Sequence, residues 1–130
     1  MQAEDLLRQA LVRAQENRDR ADVEHRLAAL LQELGRAEYE DHARKAVELE
    51  DRPALLGNHL MFLAQHLWRE GRFAEALPLV ERALPLYERC LGPLHSETRY
   101  MFSCAEFVSR MLGDDVRAFK YHRRSHQQPD

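Results

Sequence analysis

The chain has 130 residues, a formal net charge of −3, 45% hydrophobic residues and 32% charged residues. This length suits a single domain with a continuous core, and so small a net charge argues against nucleic acid or an acidic membrane surface as a partner. No apolar run approaches the ~18–20 residues that a membrane span needs, and the acidic, amphipathic N-terminus is unlike a signal peptide, so the sequence predicts a cytoplasmic protein.

Three helices are predicted in the first half of the chain. Apolar residues at helical spacing predict the first over residues 3–17, and a polar turn at 17–22, with Asp22 as N-cap, separates it from a second that ends at Gly35. The second helix should turn one apolar stripe inward: Val23, Leu27, Leu30, Leu31 and Leu34. The third should cover about 37–51, with four inward residues: Tyr39, Ala43, Ala46 and Val47.

The fourth and fifth helices form the strongest pattern in the chain. Pro53 suits the first turn of the fourth helix, because its missing N–H would be unpaired there anyway. Gly71 separates the apolar faces of the two helices, which contain small residues among large ones: Leu60, Leu63, Ala64, Leu67 and Trp68, then Phe73, Ala76, Leu77, Val80, Ala83, Leu84 and Tyr87. Pro78 and Pro85 lie inside the fifth helix, and because the periodicity runs through both we expect bending and no break.

Two further helices are predicted after a turn at residues 91–98. Gly92 is the expected C-cap before this turn, and His95 or Ser96 lies near the next N-cap. The sixth helix should cover about 96–112 and the seventh about 115–126, followed by a frayed tail at 127–130.

The second half of the chain also repeats. Gly71 and Gly113 lie 42 residues apart, as do Ala76 and Ala118. The linker Leu-Gly-Pro-x-His-x-x-Thr at 91–98, and the sequence Gly-Arg-Phe-Ala-Glu-Ala-Leu-Pro-Leu that begins at Gly71, resemble the tetratricopeptide repeat. The 42-residue period resembles the variant found in kinesin light chains and many bacterial proteins.

This resemblance implies an all-α, antiparallel array of helix hairpins, a right-handed α-solenoid of about seven helices. A single domain over 1–126 would then consist of four parts: an N-terminal helix at 1–20, a degenerate repeat at 22–51, the best-matching repeat at 53–91 and a C-terminal repeat or cap at 95–126. At an offset of 42, Ala64 corresponds to Glu106 and Leu67 to Ser109. Either the sixth helix is rotated, or its final turn slips by one residue and Ala105 takes the small position.

The resemblance also implies a function, that of a non-catalytic adaptor that binds a peptide or protein segment in a concave groove lined by the first helix of each repeat. Two adjacent asparagines that hold peptide backbone in the family are replaced here by Met61-Phe62 and Ser103-Cys104. On this assignment the groove residues are His25, Ala29, Asn58, Met61, Gln65, Arg69, Tyr100, Ser103, Phe107 and Arg110. The alternative is a scaffold that self-assembles through its terminal helices.

The last predicted helix is basic, through Arg117, Lys120, Arg123 and Arg124. Such a run indicates either a solvated helix face or a dock for an acidic segment, which could belong to a protein partner or to another copy of the chain. Trp68 is interpreted as a core or inter-repeat aromatic residue, with a binding hot spot as the alternative.

The residues suggest no catalytic chemistry and no cofactor. The four-residue spacing of His122 and His126 supplies too few ligands for a zinc site, and no nucleophile–base motif or phosphate-binding loop is present. Cys90 and Cys104 lack metal-ligand spacing, so buried free thiols are predicted.

Overall fold

The computed structural model describes residues 2–128, apart from the side chain of Glu4. Within this range it contains six α-helices and no strand. The helices are α1 (Gln2–Glu33), α2 (Tyr39–Leu49), α3 (Pro53–Arg69), α4 (Phe73–Leu91), α5 (Ser96–Met111) and α6 (Asp115–Ser125). Helices α1 and α2, α3 and α4, and α5 and α6 pack as pairs, and α4 also packs on α5. The predicted all-α array of helix hairpins is confirmed.

The chain divides into two compact units, unit 1 (Met1–Asp51) and unit 2 (Arg52–Asp130). In unit 1 the predicted turn at 17–22 is wrong, because α1 runs through it without a break and the described residues therefore contain six helices where seven were expected. Polar side chains of this segment form hydrogen bonds while the backbone stays helical. Asp19 accepts from Gln15 at 3.0 Å, and Arg18 donates to Asp51 at 2.8 Å. A polar stretch whose groups are satisfied in this way has no need to leave the helix.

The face of α1 that packs in unit 1 is narrower than predicted. Ala21 and Ala28 are fully buried, whereas four residues of the predicted inward stripe are at least one third exposed: Val23, Leu27, Leu30 and Leu34. The four inward residues predicted for α2 are all buried. Small alanine side chains allow α2 to approach closely, and one packed helix covers only one face of its neighbour, so the leucine stripe of α1 lies outside its contact with α2.

The same turn ends the first helix of every hairpin. Gly35, Gly71 and Gly113 have positive φ angles of 69°, 80° and 77°, a conformation that favours glycine. In each turn the residue after the glycine donates its N–H to the carbonyl five residues back, as Arg72 does to Leu67 at 2.9 Å. Helices α4 and α6 begin two residues after their glycine, whereas α2 begins four residues after Gly35.

The core of unit 2 lies where α3 crosses α4. Leu60, Leu63, Ala64 and Leu67 of α3 and Ala76, Val80 and Ala83 of α4 are at most 1% exposed. Pro78 and Pro85 are exposed, and α4 continues through both, as predicted. The missing N–H groups therefore fall on the outer side of the helix, where nothing in the core depends on them.

Helix α5 repeats α3 with an offset of 42 up to its final turn. The carbonyl of Ser109 accepts a hydrogen bond from Asp114 N–H at 2.9 Å, as the carbonyl of Leu67 does from Arg72 N–H, and Leu67 and Ser109 are both fully buried. The final turn therefore does not slip by one residue. His95 is the N-cap of α5, since its Nδ1 accepts from the backbone N–H of Glu97 at 3.1 Å.

Two other predictions concern single positions. Cys90 and Cys104 are free thiols, but Cys104 alone is buried and Cys90 is exposed, so the expectation of two buried thiols is wrong for Cys90. Of the predicted tail at 127–130, residues 127 and 128 follow the end of α6, and residues 129–130 lie outside the described part of the chain.

Candidate functional site

The predicted groove residues of α5 share one side of that helix. Tyr100, Ser103, Phe107 and Arg110 follow each other at spacings of three and four residues, and all four are exposed. Tyr100 and Phe107 are 56% and 46% exposed, respectively, which is unusual for large aromatic side chains inside a helix. This side of α5, together with Arg69 of α3, is called the α3–α5 face below.

The predicted groove residues of α3 divide into different environments. Arg69 is exposed and has no ion-pair partner among residues 2–128. Gln65 is half-buried, and Met61 is only 4% exposed, so it presents almost no surface to a partner. Asn58 is exposed, but its Oδ1 accepts a 2.7 Å hydrogen bond from the Tyr87 hydroxyl of α4.

An aromatic cluster connects the two hairpins of unit 2. The Phe107 ring of α5 lies edge-on to Trp68 of α3, at 6.4 Å between centroids, and to Phe73 of α4, at 6.1 Å. Edge-to-face pairs at these distances are attractive, so Phe107 is held in place while nearly half of its surface stays open. Trp68 therefore contacts the next hairpin, as expected for an inter-repeat aromatic residue, whereas the contact of Phe73 with Phe107 was not predicted.

The charge of Arg69 reaches Tyr100 across the two helices. The pKa of Tyr100 is raised, first by the electrostatic effect of Cys104 one turn along α5 and by a hydrogen bond to that thiol, whereas Arg69 acts to lower it. Burial raises the pKa of Cys104, so this sulfur stays a neutral thiol and is a poor nucleophile. The α3–α5 face therefore combines an aromatic surface with one cation.

Arg110 differs from Arg69 in having a partner on its own helix. Its guanidinium bonds Glu106 at 2.6 Å, and the same carboxylate lies 3.1 Å from Nδ1 of His122 on α6. Glu106 occupies the place that the small Ala64 has in α3, and its side chain is 16% exposed. The charge of Arg110 is thus partly neutralised, which leaves Arg69 as the cation of the face without a carboxylate partner among the described residues.

A small cavity of about 180 Å³ lies at the other end of α3. Its wall includes Gly57, Asn58, Tyr87, Cys90 and Glu97. A Cβ at Gly57 would come within 3.1 Å of the Tyr87 ring, so this glycine lets the ring reach Asn58. Glycine in the middle of a helical pattern is the sequence signal that could have revealed the cavity.

The four cations of α6 lie in two kinds of surroundings. Arg117 bonds Glu81 of α4 at 3.1 Å and Arg124 bonds Glu88 of α4 at 2.9 Å, so both face the neighbouring hairpin. Lys120 and Arg123 are exposed and have no carboxylate partner within the described chain. Among the same residues, no group of three or more potential metal ligands comes together.

Elsewhere, His25 and Ala29 are half-buried on α1 of unit 1. No described helix is both long and apolar enough to cross a membrane.

The repeated turns, the alanine-lined crossing of α3 and α4 and the linked hairpins are features of a helical repeat protein. A family model described as tetratricopeptide repeat matches residues 55–128, which is more than half of the chain. The chain belongs to the tetratricopeptide repeat family. Members of this family generally act as protein-binding modules, and a general role in protein–protein interaction follows from this membership. No curated protein matches the sequence significantly.

Proposed function

We propose that the protein is a non-catalytic adaptor and that unit 2 binds a peptide or protein segment across the α3–α5 face. The observation that carries this proposal is the position of Arg69 close to the exposed Tyr100, on the side of α5 that also exposes Phe107. An arginine without a counter-ion can take a carboxylate through two parallel hydrogen bonds, and exposed aromatic rings supply apolar contact area with little loss of entropy. The partner segment should therefore carry an acidic residue close to an apolar one.

The face differs from the predicted groove in what it offers to peptide backbone. Met61 is buried, the Oδ1 of Asn58 accepts from Tyr87 and the Ser103 hydroxyl donates to the carbonyl of Arg99, so few side-chain groups are left for hydrogen bonds to a peptide backbone. We therefore expect side-chain recognition, through Arg69 and the aromatic rings, to contribute more than backbone hydrogen bonds.

We also propose that unit 2 belongs to the kinesin light chain-like variant of the repeat. The support is the spacing of 42 residues, which relates the two turn glycines, the starts of α4 and α6, and the final turns of α3 and α5. The usual repeat of this family is about 34 residues long, so longer helices accompany the longer period.

The experiment compares proteins captured from an extract of the native organism by the tagged wild type, Arg69→Glu and Arg82→Glu. Arg82 is an exposed arginine of α4 with no ion pair in the described chain, which makes it a matched control for net charge. We expect a partner captured by the wild type and by Arg82→Glu, with recovery reduced about tenfold or more by Arg69→Glu, because the carboxylate contact becomes repulsive. Equal recovery by all three proteins, with unchanged helical content, would remove the support for this site.

A further inference from the structure

Helix α1 has an exposed apolar stripe on the side away from its two buried alanines. The exposed fractions are 55% for Val23, 38% for Leu27, 52% for Leu30 and 63% for Leu34. Spacings of four, three and four residues place these side chains in one line, as in the seam of a coiled coil. Leu34 directly follows α1 and continues its last turn, because its N–H donates to the carbonyl of Leu30 at 3.1 Å. The four residues are called the α1 outer stripe below.

Two charged side chains lie along one edge of this stripe. Arg26 directly precedes Leu27 and Glu33 directly precedes Leu34, so both lie on the same side of the helix, seven residues or about 10 Å apart. Both are exposed, and neither forms an ion pair within the described chain. At this spacing the two charges do not meet on one helix, since pairs form between residues three or four apart. They are therefore available to a partner.

A second copy of α1 in the antiparallel direction matches both the stripe and its charged edge. When Leu27 lies level with Leu30 of the other copy, Val23 lies level with Leu34, and every stripe residue meets an apolar side chain. Arg26 then faces Glu33 of the other copy, and the twofold symmetry forms the same pair a second time. In a parallel pair, equivalent residues lie at the same level, so arginine would face arginine and glutamate would face glutamate. The charges thus select the antiparallel direction.

The basic helix α6 of a second copy fits the stripe less well. Its outer side exposes two large apolar side chains, Val116 and Phe119, which can cover only part of a stripe of four. Its one acidic residue is Asp115, at the first position of the helix, and its other charged residues are cations. Along most of its length α6 would therefore bring no carboxylate to Arg26.

We propose that the α1 outer stripe is the interface of a homodimer in which two copies of α1 pack antiparallel. Two segments of this length form an interface near the lower limit for specific association, about 1,000 Å², so we expect a dissociation constant on the order of 10 μM. The stripe lies in unit 1, and the proposal does not depend on the function proposed for the α3–α5 face. A dimer carries that face twice, which strengthens binding to a partner that has two matching segments.

Sedimentation velocity of the full-length protein over a range of concentrations measures the dimer. We expect the wild type to change from monomer to dimer as its concentration rises. Leu30→Gln should raise the dissociation constant about tenfold or more, because the symmetry places the polar group in the interface twice. Leu11→Gln is the matched control, since Leu11 is 71% exposed on another side of the same helix, and it should leave the constant unchanged. Circular dichroism checks that both variants keep their helical content.

The charged edge gives a second test that does not depend on apolar substitutions. Arg26→Glu and Glu33→Arg should each raise the dissociation constant about tenfold or more, because both symmetric pairs become repulsive. The double variant Arg26→Glu/Glu33→Arg should dimerise like the wild type. An equimolar mixture of the two single variants should form a mixed dimer, in which each pair again joins opposite charges. Arg82→Glu, on the exposed side of α4, is the control for net charge and should have no effect.

Three results would overturn the proposal. They are a wild type that stays monomeric at every concentration, a dimer that Leu30→Gln leaves intact, and single charge variants that dimerise as tightly as the wild type. If Leu30→Gln loses helical content, the mixture of the two charge variants decides instead, and failure to form the mixed dimer contradicts the antiparallel pair. A dimer that Lys120→Glu/Arg123→Glu dissociates, and that Leu30→Gln does not, would assign the contact to α6.

Discussion

At the scale of single residues, Ser109 and Ser125 are both buried but differ in their hydrogen bonds. The Ser125 hydroxyl donates to the carbonyl of His122 at 2.8 Å, whereas the Ser109 Oγ is fully buried and has no partner among residues 2–128. Ser109 occupies the place that Leu67 has in the preceding hairpin, so an apolar side chain suits this position. An unsatisfied buried hydroxyl is a cost that alanine would remove.

We therefore expect Ser109→Ala to keep or raise the free energy of unfolding, by up to about 1 kcal/mol, and Ser125→Ala to lower it by about 1 kcal/mol. Urea denaturation measures both values. A loss of stability in Ser109→Ala as large as that in Ser125→Ala would indicate that the Ser109 hydroxyl is satisfied after all.

The second residue-scale prediction concerns pH. Burial lowers the pKa of His66, with a further lowering by Arg69 that Glu70 partly opposes. The folded state disfavours the protonated ring. The contribution of neutral His66 to the free energy of unfolding is therefore complete above the unfolded pKa of about 6.5 and is lost as the pH falls through the lower folded pKa. The free energy of unfolding should thus decrease between about pH 7.5 and about pH 5 by more in the wild type than in His66→Gln, which cannot take up this proton. Identical decreases in the two proteins would show that His66 does not contribute.

At the scale of elements, the continuity of α1 is the point on which sequence and structure disagree. A proline at Arg20 would remove a backbone hydrogen bond inside a helix, but it would be tolerated in a turn. We expect Arg20→Pro to destabilise unit 1 by about 3 kcal/mol or more, and Arg20→Ala to have little effect, because alanine favours helix. Thermal denaturation followed by circular dichroism compares the two variants. Equal stability would support the turn that the sequence suggested.

The crossing of α3 and α4 tests the register of the repeat. Ala76 is fully buried there, whereas Ala74, two residues earlier on the same helix, is exposed. Ala76→Leu should lower the free energy of unfolding by about 1–3 kcal/mol because the added atoms overpack the crossing, and Ala74→Leu should leave it within about 0.5 kcal/mol. A melting temperature for Ala76→Leu equal to that of the wild type would exclude the close approach of these helices at Ala76.

The elements that the sequence predicted well are those whose pattern repeats within the chain. Helices α3 and α4 have a glycine at the turn between them and alanines where they cross. The structure uses these residues as the sequence pattern predicts, with a positive φ angle at the glycine and close packing at the alanines. The polar residues 17–22 look like a turn because their pairing partners, such as Asp51, are distant in sequence. The exposure of Leu30 and Leu34 could not be foreseen either, since periodicity shows that a helix has an apolar face but not whether a partner covers it.

At the scale of the whole molecule, the account assigns a partner contact to the α3–α5 face of unit 2. The α5 part of this contact could be predicted because a helical spacing of three and four residues fixes which side chains share a side. The burial of Met61 and the bond from Tyr87 to Asn58 depend on how the helices pack, so spacing alone could not reveal them. The isolation of Arg69 depends equally on which carboxylates the fold brings near it.

The central claim, that a partner binds the α3–α5 face, is tested most directly by photo-crosslinking at single positions of the full-length protein. A benzophenone amino acid replaces Ser103, at the middle of the face, or Arg82, on the exposed side of α4. The products formed in an extract of the native organism are then identified by mass spectrometry. The account predicts that one partner is linked from position 103 and not from position 82, and that adding Arg69→Glu abolishes this product. A partner linked from position 82 and not from position 103 would contradict the claim.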